Sequence, residues 1–123
     1  MHKLKESEIS FDVLNFESGL FNFEGDKNLF FQIIQLFLDD LQTQIIKIEG
    51  AVEVCDPVLI KRSLHSLKGS SGAIGANRLS NTIKELERNV DMASRSEIHQ
   101  MYMNLIRESK MIQSELTKLI KNN

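Results

Sequence analysis

His65 lies in a stretch that combines an imidazole with cations and glycines at helical spacing. At about 100° per residue, five residues fall within roughly 60° of it: Lys61, Arg62, Lys68, Gly69 and Gly72. The far side of the same helix carries Ile60, Leu67 and Ile74, which predicts that His65 faces away from the core. An imidazole exposed to water is mostly uncharged at neutral pH, so one ring nitrogen keeps a free lone pair. Such a nitrogen can attack phosphorus.

The neighbours of His65 suit a phosphorylated ring. The phosphoryl group would add about two negative charges, which Lys61, Arg62 and Lys68 can offset. Lys68, one turn away, is best placed to contact a phosphoryl oxygen. Because a glycine inside a helix costs about 0.5–1 kcal/mol relative to alanine, Gly69 and Gly72 predict a shallow bay that admits a partner protein.

No complete enzyme site accompanies His65 in the sequence. There is no glycine-rich phosphate loop, no metal-ligand carboxylate cluster and no second base. Phosphoryl transfer needs metal and charge clamps, so we expect a partner to supply them and the chain to use no cofactor or metal of its own. A metal-dependent four-helix enzyme is excluded because no Glu-x-x-His pair lies on the predicted helices.

Long rows of apolar residues at spacings of three and four predict four helices. Asp26 caps the first, Asp56 before Pro57 opens the second, and Gly75 ends it. The capping box Ser94-Arg95-Ser96-Glu97 opens the fourth. The row of the first helix is Phe30, Ile34, Phe37, Leu41, Ile45, Ile48 and Val52, and the core side of the second is that of Ile60, Leu67 and Ile74. The third helix has Leu79, Ile83, Leu86 and Val90, and the fourth has Ile98, Tyr102, Leu105, Ser109, Ile112, Leu116 and Leu119. Short connections favour antiparallel neighbours, so the predicted fold is all-α, an up-down four-helix bundle.

The first third of the chain holds all seven phenylalanines. We interpret Phe11 to Phe23 as a short extra N-terminal helix and turn that covers one end of the bundle, with a break at Gly25-Asp26. The predicted organisation is a single domain, 1–123, with a cap segment at about 1–24 and the bundle at about 26–121.

Composition limits the remaining possibilities. The 123 residues are 41% hydrophobic and 26% charged, with a net charge of −2 and a pI near 5.9, so we expect no nucleic-acid partner. Cys55 is alone, which excludes an internal disulfide and fits a reducing compartment. His2, His65 and His99 have no zinc-ligand spacing. With no bilayer-length apolar run and no secretory signal at its start, we expect a cytoplasmic protein without membrane insertion.

The run His65-Ser66-Leu67-Lys68-Gly69-Ser70-Ser71, followed by Gly75-Ala76 and Leu79, resembles the signature of histidine-containing phosphotransfer (HPt) domains. Gly19-Leu20, Gly25-Asp26 and Leu86-Glu87 extend the likeness over nearly the whole chain. The resemblance implies that His65 is phosphorylated, that Lys68 supports the phosphoryl group, and that Gly69 gives a partner access. Leu64 departs from the alanine that the family often has there. Its helical position predicts a place at the edge of the core, so we expect the departure to affect packing more than chemistry.

The resemblance implies a phosphorelay intermediate and not an ATP-hydrolysing enzyme. His65 would accept a phosphoryl group from the phospho-aspartate of one response-regulator receiver domain and pass it to another receiver. A hybrid sensor histidine kinase is a further expected partner, and the chain itself is an expected monomer. It would be a cytoplasmic protein or the cytoplasmic terminal domain of a membrane-bound hybrid kinase.

Alternatives remain open from the sequence. One is the phosphoacceptor domain of a chemotaxis-type kinase, and another is a non-catalytic helical adaptor. The dimerisation-and-phosphoacceptor module of a histidine kinase is a weaker match, because it usually has an acidic residue where Ser66 stands. The sequence also leaves open the phosphorylated ring nitrogen, the cognate kinase and receivers, the input signal and the role of Cys55.

Overall fold

A computed structural model describes residues 13–122 of the chain. Five helices lie wholly within these residues: α1 Phe16–Asn22, α2 Lys27–Val54, α3 Pro57–Ile74, α4 Asn77–Asn89 and α5 Arg95–Lys121. No strand occurs within these described residues. Each long helix packs on the next, and α5 returns to α2 to close the ring. The predicted up-down four-helix bundle with a short extra helix is confirmed.

The helices begin and end where the capping residues predict. The Asp26 carboxylate accepts from Leu29 N at 3.0 Å, and the Asp56 carboxylate accepts from Val58 N at 3.0 Å. The capping box of α5 is complete. Helix α3 ends at Gly75, whose φ of 87° is the left-handed conformation that glycine adopts without a Cβ penalty. These local signals fix the length of α3 and therefore the position of the residues along it.

The core is built from the predicted apolar rows. Phe30, Ile34, Ile83, Leu105 and Ile112 are all completely buried. Ile45 and Leu119 of the same rows are only half-buried and pack on the edge of this core. Burial of apolar side chains supplies most of the driving force for such a bundle.

Helix α1 closes the bundle end at which α3 finishes. The Phe16 ring meets Phe30 edge-on, with ring centroids 5.4 Å apart. The backbone N–H of Asn15 donates to the Gly75 carbonyl at 2.8 Å. Within the described residues, the predicted helix and turn of Phe11 to Phe23 are represented by α1 and the turn after it, and residues 1–12 of the cap segment, Phe11 among them, lie outside these residues. The division into cap and bundle at 24 and 26 stays a prediction.

No helix within residues 13–122 combines the length and the apolar character needed to cross a membrane.

Candidate functional site

His65 lies near the middle of α3 with its side chain exposed to solvent. Its neighbours Leu64 and Leu67 are buried, at 0% and 1% exposure. The spacing predicts Leu64 at the edge of the core, but Leu64 lies inside the core. The buried face of α3 therefore covers a larger part of the helix circumference than the spacing indicates. This buried side holds the helix rigidly and leaves the imidazole on the outer surface.

The two glycines near His65 have different surroundings. At Gly69, a Cβ would meet no atom within 4 Å, so this position is open surface. At Gly72, a Cβ would lie 3.7 Å from Ser80 Oγ on α4, an ordinary contact. Gly72 is half-buried against α4. The open approach to the imidazole is therefore beside Gly69.

Both lysines on this face are held by carboxylates from the next helix and its following turn. The Lys68 ammonium donates to both carboxylate oxygens of Glu87, at 3.0 Å each. Lys61 forms an ion pair with Asp91, just beyond the end of α4. These partners draw the two ammonium groups toward the α4 side of His65. The sequence prediction identified the lysines but missed Glu87 and Asp91 as their counter-ions.

Arg62 lies on the other side of His65. A helical step of about 100° turns it toward α2, away from Lys61 and Lys68. Among the described residues, no carboxylate lies within 4.0 Å of its guanidinium. The predicted trio of cations is thus divided, with two lysines tied to carboxylates and one arginine facing the α2 side.

A groove lies between α2 and α3, with Ser66, the residue that follows His65, in its lining, and we call it the α2–α3 groove. It encloses a cavity of about 190 Å³. Its α2 side is mostly apolar, with Leu36 63% exposed, and its α3 side carries Ser66 and Ser70. The lining residues are Ile33, Leu36, Phe37, Asp40, Leu41, Gln44, Ser66, Leu67, Ser70, Ala73 and Ile74. Leu36 lies outside the main apolar row of α2. An apolar residue outside the core-facing row was the sequence signal that could have indicated an exposed apolar surface here.

The serines around His65 do not form a catalytic set. Ser71 is buried and its hydroxyl donates to the Leu67 carbonyl at 2.6 Å. Ser63 and Ser70 donate to carbonyls one turn earlier in α3. Within residues 13–122, no side chain makes a hydrogen bond to the His65 ring. The site therefore offers one accessible imidazole beside open backbone, which suits a nucleophile that reacts within a partner's active site.

Comparison with known proteins places this bundle and its exposed histidine in one class. The family model described as "Hpt domain" matches residues 32–121, so the chain belongs to the Hpt domain family. Domains of this family carry phosphoryl groups in two-component phosphorelays.

Two relatives show the extent of the likeness. The chain is 28% identical over 99 residues to Histidine-containing phosphotransfer protein 5 of Arabidopsis thaliana, covering 78% of this chain and 63% of that protein's length. It is similar in fold to the crystal structure of the HPT domain from the Hpt sensor hybrid histidine kinase of Shewanella. That match has a TM-score of 0.81 at 19% identity, and it covers 92% of this chain and 97% of the Shewanella domain.

Proposed function

We propose that His65 accepts a phosphoryl group from the phospho-aspartate of one receiver domain and passes it to the aspartate of another. The observation that carries this proposal is the exposed imidazole at the centre of α3, beside the open surface at Gly69, in a chain of the Hpt family. A rigid helix that presents a single nucleophile on a convex face suits reaction inside the concave active site of a second protein.

The atoms and electrons of the transfer balance between the two proteins. The lone pair of one His65 ring nitrogen attacks phosphorus, and an N–P bond forms as the P–O bond of the acyl phosphate breaks. The aspartate leaves as a carboxylate, and the proton on the other ring nitrogen stays there. The second receiver reverses these steps and regenerates the neutral imidazole. We assign the attack to Nε2, because it lies farther from the backbone than Nδ1, and the metal and charge clamps to the receiver.

Lys68 is the first candidate to support the phosphoryl group from this chain. It is one turn from His65, and its ion pair with Glu87 is about one-third exposed at both partners. An exposed pair of this kind contributes at most about 1 kcal/mol, so a phosphoryl oxygen can compete with Glu87 for the ammonium. Lys61 and Arg62 then stabilise the phosphoryl charge electrostatically at longer range. Lys61 does so while it is paired with Asp91, and Arg62 does so from the α2 side of His65.

The α2–α3 groove is the surface on which we expect a receiver to dock. Its α3 side begins at Ser66, the residue that follows His65, and its α2 side is mostly apolar, with Leu36 63% exposed. Gly69 adds no side chain between that groove and the imidazole. We propose that the chain acts as a cytoplasmic monomer, on its own or as the terminal domain of a hybrid sensor kinase.

The test is phosphoryl transfer from a receiver charged with acetyl phosphate. We expect an acid-labile, alkali-stable label on the chain, and His65→Gln should abolish it. His99→Gln, which alters an exposed imidazole on α5, is the matched control and should keep the label. A label that survives His65→Gln would refute the proposed phosphoacceptor.

A further inference from the structure

The outward face of α5 carries a basic stripe, which we define as Arg107, Lys110, Lys118 and Lys121. Every one of these side chains is exposed. Their spacings of 3, 8 and 3 residues keep them on one side of the helix, opposite its buried row of Ile98, Leu105 and Ile112. At a rise of about 1.5 Å per residue the stripe extends for about 21 Å.

The stripe has no acidic counterpart within residues 13–122. No carboxylate lies within 4.0 Å of any of its four charged groups, whereas Lys61, Lys68 and the core-edge Arg78 are all paired. On the stripe's side of α5 the polar side chains between the cations are Gln113, Ser114 and Thr117. Two glutamates of α5 also lie within this stretch: Glu108 is paired with Arg78, and the half-buried Glu115 forms no ion pair with the stripe. In a chain with 15 basic and 17 acidic residues, this leaves a local positive surface on an otherwise slightly negative molecule.

The centre of the stripe is shaped as well as charged. A shallow depression of about 440 Å³ is lined by Lys110, Gln113, Ser114, Thr117, Lys118 and Lys121. Ammonium, hydroxyl and amide groups donate hydrogen bonds to the oxygens of an anion. A linear array of carboxylates is therefore the chemistry that fits this surface.

We propose that the basic stripe docks an acidic segment of a protein partner. An anionic bilayer fits less well, because the apolar row of α5 is buried in the core and, within residues 13–122, Met103 is the single large apolar side chain that α5 exposes for insertion. A nucleic acid fits less well, because the surrounding molecule carries a net charge of −2.

The basic stripe is remote from the proposed phosphorylation site. Helix α5 packs on α2 and α4, and α3 packs on the same two helices without extensive contact with α5, so α3 and α5 occupy diagonal positions in the bundle. His65 and the stripe therefore lie on opposite sides of the bundle. A partner bound to α5 leaves His65 open, so this proposal does not depend on the proposed function.

Binding of a fluorescent octaglutamate peptide to the whole chain tests the proposal. In the stripe variant, Arg107, Lys110, Lys118 and Lys121 are all replaced by Gln, a residue that keeps helix propensity. A matched control carries the same change at four exposed cations elsewhere: Lys27, Lys47, Lys84 and Arg88. Both have the same net charge, and thermal unfolding by circular dichroism should show that both fold.

At low salt we expect the stripe variant to bind the peptide roughly tenfold more weakly. Each of the four exposed ion pairs contributes modestly, but their effects on the binding constant multiply. The control should stay within about twofold of the unaltered chain. Equal losses in both variants would overturn the proposal, and so would tighter binding to phosphatidylserine vesicles or single-stranded DNA than to the peptide. Both variants should take up phosphate on His65 normally, which separates this test from that of the phosphoacceptor.

Discussion

The Lys68 ammonium lies 3.0 Å from each of the two carboxylate oxygens of Glu87, across the α3–α4 interface. This pairing means that the lysine predicted to support a phosphoryl group already has an anionic partner before any phosphate arrives. A phosphoryl group on His65 must compete with Glu87 for the same ammonium. The strength of that ion pair therefore contributes to how stable the phosphorylated form is.

Replacing Glu87 with Gln should favour the phosphorylated chain. Without the carboxylate, Lys68 is free to neutralise the phosphoryl group, and an exposed pair of this kind is worth up to about 1 kcal/mol. We expect the equilibrium between receiver and chain to shift toward the phosphorylated chain by about two- to fivefold. The measurement is the fraction of radiolabelled phosphate on each protein at equilibrium.

Asp91→Asn is the matched control for the Glu87 substitution. It removes the other carboxylate of this face, whose partner is Lys61 and not Lys68. We expect a smaller shift in the same equilibrium. An equilibrium unchanged by Glu87→Gln, or moved toward the receiver, would mean that Lys68 does not support the phosphoryl group.

Substitutions at Gly69 should separate folding stability from function. The position is exposed and open, so Gly69→Ala should raise the free energy of unfolding by about 0.5–1 kcal/mol through helix propensity. Gly69→Leu should fill the approach to His65 and slow transfer from a receiver at least tenfold, since small displacements of reacting groups have large kinetic effects. Urea unfolding and single-turnover transfer measure the two effects.

Gly50 provides the control for Gly69. It also lies exposed within a helix, where an added Cβ would meet no atom within 4 Å, but it is on α2. Gly50→Ala and Gly50→Leu should leave transfer unchanged. If Gly69→Leu transferred phosphate as fast as the Gly50 variants, Gly69 would not be the route of access.

The sequence predicted the helices that position the candidate site well, because the ends of these helices depend on local signals. Asp26, Asp56, Ser94 and Gly75 act within a turn of their own positions, and each begins or ends a helix as predicted. The exposed position of His65 followed from the apolar residues on the opposite side of α3. These features need only helical periodicity and capping chemistry.

Contacts between helices were beyond what the sequence could predict. Glu87 faces Lys68, and Asp91 faces Lys61. These pairings depend on the rotational orientation of α4 about its own axis where it packs on α3. That rotation depends on the shapes of all the packed side chains and not on any short motif. For the same reason the full burial of Leu64 and the α2–α3 groove emerged only from the structure.

Gly19 is a position at which even one methyl group should destabilise the fold. A Cβ there would lie 2.2 Å from the Ile74 carbonyl oxygen and 2.7 Å from the Phe30 ring. Because the closest atom belongs to the backbone, α1 would have to move away from the end of α3. We expect Gly19→Ala to lower the free energy of unfolding by about 1–3 kcal/mol in urea. Unfolding as stable as that of the unaltered chain would show that α1 does not need this close contact.

The stability of the bundle should fall at alkaline pH because of Tyr102. Burial of its ring, with the hydrogen bond to Glu49 Oε2 at 3.1 Å, raises the pKa of Tyr102 to about 12. Unfolded tyrosine has a pKa near 10. Below pH 10 the folded and unfolded states both keep the hydroxyl proton of Tyr102. As the pH rises toward 12, the unfolded state loses this proton first. This difference lowers the free energy of unfolding by about 1 kcal/mol at pH 11. Urea unfolding at pH 9 and 11 should show this loss, and Tyr102→Phe should remove it. An equal pH dependence in Tyr102→Phe would assign the loss to other groups.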